Sequence, residues 1–198
     1  MAAFIVTAAV SIDLWAHHLP SERELFIQVD ERGAIALWQI RVHGSSATAF
    51  AKVWDQDHNG AWSDAEAAGA ATTLTAKSMS GVQISWDGFE LKPGRSRPRL
   101  VDERPRSSTL GANLVVPLSL PTVEGDQHQL LISVAARTTP LTVSISTKHP
   151  WQIETAAGAR ITHDHQSLET PIVVEPNGQL SVRLARAANA QGSRGEPK

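Results

Sequence analysis

The chain contains no cysteine and no tyrosine. The first absence excludes disulfides, thiolate metal sites and a cysteine nucleophile, and the second removes one acid–base side chain. Neither sign of charge dominates. Eighteen Lys and Arg against 20 Asp and Glu leave a formal net charge of −2, so there is no electrostatic footprint for a nucleic-acid or anionic-membrane partner. No stretch reaches the ~20 apolar residues of a membrane span. The motifs G-x-S-x-G, G-x-x-x-x-G-K-[ST] and G-x-G-x-x-G are missing, and nothing in the spacing of Ser, His and Asp assembles a triad. The reading is therefore not an enzyme.

What is present suits a folded chain of one domain or two small ones: 198 residues, 41% of them apolar and 19% charged, enough to bury a real core. Met1 to Val10 is an apolar run followed by Ser11 to Ala16. Residues 1–16 look like a secretory signal with cleavage after Ala16, which predicts a periplasmic or secreted protein; an N-terminal strand is the alternative.

Glu24–Val29 and Ala34–Val42 read as strands joined by the turn Asp30-Glu31-Arg32-Gly33. Ser45 or Ser46 can then cap a helix whose apolar face is Ala47, Phe50, Ala51 and Trp54, spaced i, i+3, i+4, i+7. A second helix, Ala- and Thr-rich, runs to about Met79, with Gly69 weakening it. Asp87-Gly88 marks a two-residue hairpin. Residues 93–108, rich in Pro, Arg and Ser, read as a solvated loop or linker in which Asp102 and Glu103 offset part of the basic charge. From Leu110 the pattern is all β, with strands expected at 112–120, 129–135, 141–146, 151–155, 171–174 and 179–185. The last two flank Pro176-Asn177-Gly178, read as another hairpin turn. Trp38, Trp86 and Trp151 fall in strand-like runs and are expected in the core rather than on a sugar-binding platform. Residues 187–198 are small, polar and expected to be disordered.

Between the two helices lies Asp55-Gln56-Asp57-His58-Asn59-Gly60-Ala61-Trp62-Ser63-Asp64-Ala65-Glu66, which satisfies D-x-[DN]-x-[DN]-G-x5-E at every specified position. This segment resembles the calcium loop of EF-hand proteins, and the resemblance covers about Ser45 to Met79. It implies side-chain oxygens from Asp55, Asp57 and Asn59, the backbone carbonyl of Ala61, Ser63 directly or through a water, and both oxygens of Glu66, with Gly60 at the sharp turn. Trp62 stands at the eighth position, where an aliphatic residue is usual. A single loop is present although EF-hands normally work in pairs, so it has to be braced by a second chain or by the rest of the domain. The ligand set suggests weak affinity, ~10⁻⁴ M as in extracellular modules, and hence a structural ion.

Histidines offer a second reading. Cleavage after Ala16 would expose His17-His18, a copper-type ligand set with the free amine. His163 and His165 would share one face of a strand, so a transition-metal accessory protein handling copper, nickel or cobalt is the alternative. The order of elements over residues 17–92 is similar to periplasmic N-terminal domains that accompany nickel/cobalt exporter-type permeases, which likewise implies an exported protein.

The expected architecture is α+β and mostly β. A β-region at 17–92 carries an EF-hand insert at 45–79, and 109–186 forms an antiparallel β-sandwich beside it. Calcium is the expected cofactor. No nucleic acid or membrane span is expected, and an unidentified protein partner or a homodimer stays open.

Overall fold

The computed structural model describes residues 21–187. The proposed signal at 1–16, His17-His18 and all but the first residue of the expected tail lie outside the described residues. Alternating burial builds the strands (period two), as in β1 (Ser21–Asp30), whose Leu25, Ile27 and Val29 point inward. A tight turn, closed by the Arg32 N–H donating to Asp30 Oδ1 at 2.8 Å, leads to β2 (Gly33–His43). Helices α1 (Gly44–Trp54) and α2 (Asp64–Met79) follow. Next come β3 (Val82–Trp86), β4 (Phe89–Glu90), β5 (Arg99–Asp102), α3 (Arg104–Ser107) and β6 (Thr109–Leu118). The chain ends with β7 (Gln127–Val134), β8 (Leu141–Thr147), β9 (Trp151–Ala156), β10 (Ile172–Val174) and β11 (Gln179–Arg186).

The protein is α+β and mostly β, with two sheets. One has the order β10-β8-β1-β2-β6-β5 and the other β4-β3-β7-β11-β9. Their inward residues form one core, in which Leu25, Ile27 and Trp38 of the first sheet belong with Ile84, Trp86, Ile132 and Val182 of the second. Trp38, Trp86 and Trp151 are 3%, 1% and 5% exposed, as their strand positions predicted. No helix among the described residues is long and apolar enough to cross a membrane.

The helices have a defined place in this sandwich. The inward face of β2 does not stop at Trp38: Ile40 and Val42 continue it by the same alternation. There it is covered not by strands but by Ala47, Phe50 and Ala51 of α1 and Ala70 and Leu74 of α2, which form a second core with Leu110 and Ala112 of β6. The helix–loop–helix thus replaces the second sheet over one end of the first. Gly69, read from propensity as a weakness, is a packing requirement, because a Cβ at that position would overlap the six-membered ring of Trp54.

Several expectations change. The two halves of the chain do not form separate layers: each sheet mixes strands from before and after residues 93–108. That segment supplies β5 and α3, because pairing of Leu100 with Ala112 and of Val101 with Gly111 outweighs its polar composition. The sandwich is not wholly antiparallel, since β1 and β8 run parallel, Glu24 opposite Thr142 through Val29 opposite Thr147. β8 enters from the other sheet, so no hairpin sets its direction. The turn at Pro176-Asn177-Gly178 does close, with the Gly178 N–H donating to the Glu175 carbonyl at 2.8 Å, but it is not a hairpin. β10 pairs with β8 and β11 with β7 and β9, in opposite sheets. Finally, α1 begins before Ser45. His43 is its N-cap, without a side-chain bond, and Gly44, at φ +59°, donates its N–H to the Ser108 carbonyl at 2.9 Å.

Candidate metal centre

The loop between α1 and α2 is shaped by its own polar groups. Asp55 follows Trp54 directly and its N–H still bonds to the Ala51 carbonyl at 2.9 Å, so the end of α1 sets its direction. Its carboxylate then turns the chain back on itself: Oδ1 accepts from the Asn59 N–H at 3.1 Å and Oδ2 from the Gly60 N–H at 3.0 Å. His58 and Gly60 both have positive φ, 56° and 79°. The second value is natural for a residue without a Cβ. The Asp57 carboxylate accepts from the Asn59 N–H at 3.2 Å and from its Nδ2 at 2.7 Å. Asn59 Oδ1 accepts from the Ala61 N–H at 2.7 Å.

At the far end, Ser63 caps α2. Its Oγ accepts from the Glu66 N–H at 3.3 Å, while the Glu66 carboxylate accepts from the Ser63 N–H at 2.8 Å and the Ser63 hydroxyl at 2.7 Å, a capping box. The other Glu66 oxygen reaches back across the loop and accepts from the Gln56 N–H at 2.6 Å. Glu66 is 6% exposed. Hydrogen bonds from the Ser63 side chain, and then from the backbones of Ser63, Gln56 and Asp57, hold its pKa below the usual value against the opposing effect of burial.

The result is a convergence of charge. Oxygens from the carboxylates of Asp55, Asp57 and Glu66 all lie within 4.8 Å of one another, the one such group of three His, Asp or Glu side chains among the described residues. Asn59 bonds to both aspartates, Ala61 to Asn59, and Ser63 to Glu66. All six residues singled out in the sequence therefore belong to one hydrogen-bonded loop.

The histidine pair behaves otherwise. His163-Asp164-His165 lies in a turn rather than a strand, with His165 in the left-handed region at φ 57° and its Nδ1 against the Ile153 carbonyl at 3.0 Å. The strand alternation that would put both rings on one face is absent. Asp164 organises the turn instead: its Oδ1 accepts from Thr162 Oγ1 and from the Gln166 N–H, and its pKa is lowered by those bonds.

Comparison with protein-family models and with curated proteins returns no match to this chain, so the site is read from its own chemistry. The donor set is oxygen throughout, carboxylates and amide groups. Such donors fit a hard cation such as calcium rather than metals that prefer imidazole or thiolate. A carboxylate offers about four acceptor positions, so the two bonds accepted by Asp55 and the two accepted by Asp57 leave capacity for an ion.

One group of residues was not visible as a unit in the sequence. Trp62 Nε1 donates to Asp102 Oδ2 at 2.6 Å. Arg104 forks onto the same carboxylate, Nε to Oδ1 at 2.8 Å and a terminal nitrogen to Oδ2 at 2.6 Å, and its guanidinium carbon stands 5.1 Å from the centroid of the Trp62 ring. Chiefly because of Arg104, and then Trp62, the Asp102 carboxyl is lowered to about 2 in spite of partial burial. The Arg104 pKa is raised in return, mainly by the Asp102 bond and in part by the charge of Asp55. The only sequence signal was the aromatic residue at the eighth loop position. Asp102 read merely as a charge offset in a loop.

Proposed function

We propose that this chain is a calcium-binding module with one loop of the EF-hand type, in which Asp55, Asp57, Asn59, Ser63 and Glu66 provide side-chain oxygens and Ala61 its carbonyl. The convergence of the Asp55, Asp57 and Glu66 carboxylates carries this reading. Three like charges so close repel one another, and a bound divalent cation would offset that repulsion. Bound there, it would also supply a cross-link between the end of α1, through Asp55, and the first turn of α2, through Glu66. Because those helices form the second core, ion binding and folding of this end of the sandwich would be linked. A weak, structural site of this kind suits an exported module, in keeping with the apolar run at residues 1–10.

Calorimetric titration of metal-free protein with calcium, run beside Glu66→Gln, tests the proposal. One ion is expected to bind the wild type, and the variant is expected to bind at least about tenfold more weakly. No heat and no change in melting temperature at millimolar calcium would sink it.

A further inference from the structure

We propose that Asp102 and Arg104 are positioning residues for the calcium loop, and that through Trp62 they couple ion binding to the docking of β5 and α3 on the sandwich. The inference rests on the calcium reading of the loop.

Trp62 is well placed for this. It lies between Ala61, the expected carbonyl ligand, and Ser63, whose N–H and hydroxyl hold Glu66. Fixing the indole therefore fixes the two peptide units that present a carbonyl and a carboxylate. The indole is held on its edge by Asp102 and on its face by Arg104, and like Trp54 and Leu100 it packs against the helical core.

The clamp also needs the loop. β5 is an edge strand, paired only with β6, and the short α3 is tied back by the Glu103 N–H on the Thr109 carbonyl at 2.9 Å. Trp62 holds this segment through the Asp102 carboxylate. Linkage is reciprocal, so whatever factor the clamp contributes to ion affinity, the ion returns to the clamp.

The test uses the full chain. Calcium titrations of the wild type, Trp62→Phe, Asp102→Ala and the double variant Asp102→Ala/Arg104→Gln are paired with hydrogen exchange at the amides of residues 99–104. Trp62→Phe keeps an aromatic ring in the helical cluster and removes the edge bond, so it serves even where Asp102→Ala disturbs the fold. Each single variant is expected to bind about 5- to 20-fold more weakly, and the double variant no more tightly than Asp102→Ala. Calcium is expected to slow exchange of β5 in the wild type and not in Trp62→Phe. Wild-type binding with both single variants within twofold of it, or β5 exchange indifferent to calcium, overturns the coupling alone. Failure of the wild type to bind calcium removes the calcium reading and the coupling with it.

Discussion

Trp62 and Asp102, 40 residues apart in sequence, meet through a hydrogen bond of 2.6 Å from Nε1 to Oδ2. This bond ties the calcium-type loop to the edge strand of the larger sheet, and Leu100 of the same strand packs against the helical core that the loop interrupts. The loop is thus tied to the sheet by a contact within the same chain.

Calcium should raise thermal stability in a concentration-dependent way. With affinity near ~10⁻⁴ M, a concentration about 100-fold above the dissociation constant adds about 2.7 kcal/mol to folding. Differential scanning calorimetry in excess chelator and in about 10 mM calcium should show the midpoint several degrees higher with the ion. Glu66→Gln should lose most of that difference.

Acid should weaken the clamp. The Asp102 carboxyl, lowered to about 2 by Arg104 and Trp62, contributes stability that is fully present above its unfolded value and is lost as pH falls through the folded one. The window is therefore from about pH 4 down to about pH 2. Urea unfolding of metal-free wild type and Asp102→Asn should show the largest advantage of the wild type near neutrality and a shrinking one across that window. An unchanged difference would contradict the assigned role of the carboxylate. Glu66, shifted in the same direction, adds to the acid sensitivity of both proteins.

Gly69→Ala should destabilise, although Ala exceeds Gly in helix propensity by about 1 kcal/mol. The added methyl would overlap the Trp54 ring, and displacing that ring disturbs the residue just before Asp55. A net loss of about 1–3 kcal/mol is expected from such overpacking, measured by urea unfolding. A gain in stability would mean that Trp54 has another place to go.

Arg23→Met should be costly for a different reason. Arg23 is 2% exposed; one terminal nitrogen donates to the Ser78 and Ser80 carbonyls, and the other donates to Thr139. It thereby satisfies backbone acceptors at the end of α2, where a cation is favoured, and burial lowers its own pKa. Removing the guanidinium leaves three carbonyls without their donor, for an expected loss of about 2–4 kcal/mol in urea unfolding. Arg23→Lys should fall between the two, because a single ammonium lacks the fork.

Local pattern, read without any structure, was enough for most elements and for the loop. Strand alternation, the i, i+3, i+4, i+7 face of α1 and the Asp87-Gly88 turn, both residues at positive φ, depend on residues close in sequence, as do the oxygens at Asp55, Asp57, Asn59, Ser63 and Glu66. Backbone geometry and side-chain period act over a few residues, so the sequence states them directly. Pairing across the chain is different. Pro176-Asn177-Gly178 makes the same kind of turn whether the strands beside it share a sheet or not, and only the burial of Val174 in one layer and Leu180 in the other decides that they do not. β1 lies beside β8 because their inward residues share the core between the sheets, and Asp102 holds Trp62 because the helices cover one end of the larger sheet and bring the loop to its edge. Those contacts depend on how faces are buried together, a condition no stretch of sequence carries alone, and it was left to the tertiary structure to settle them.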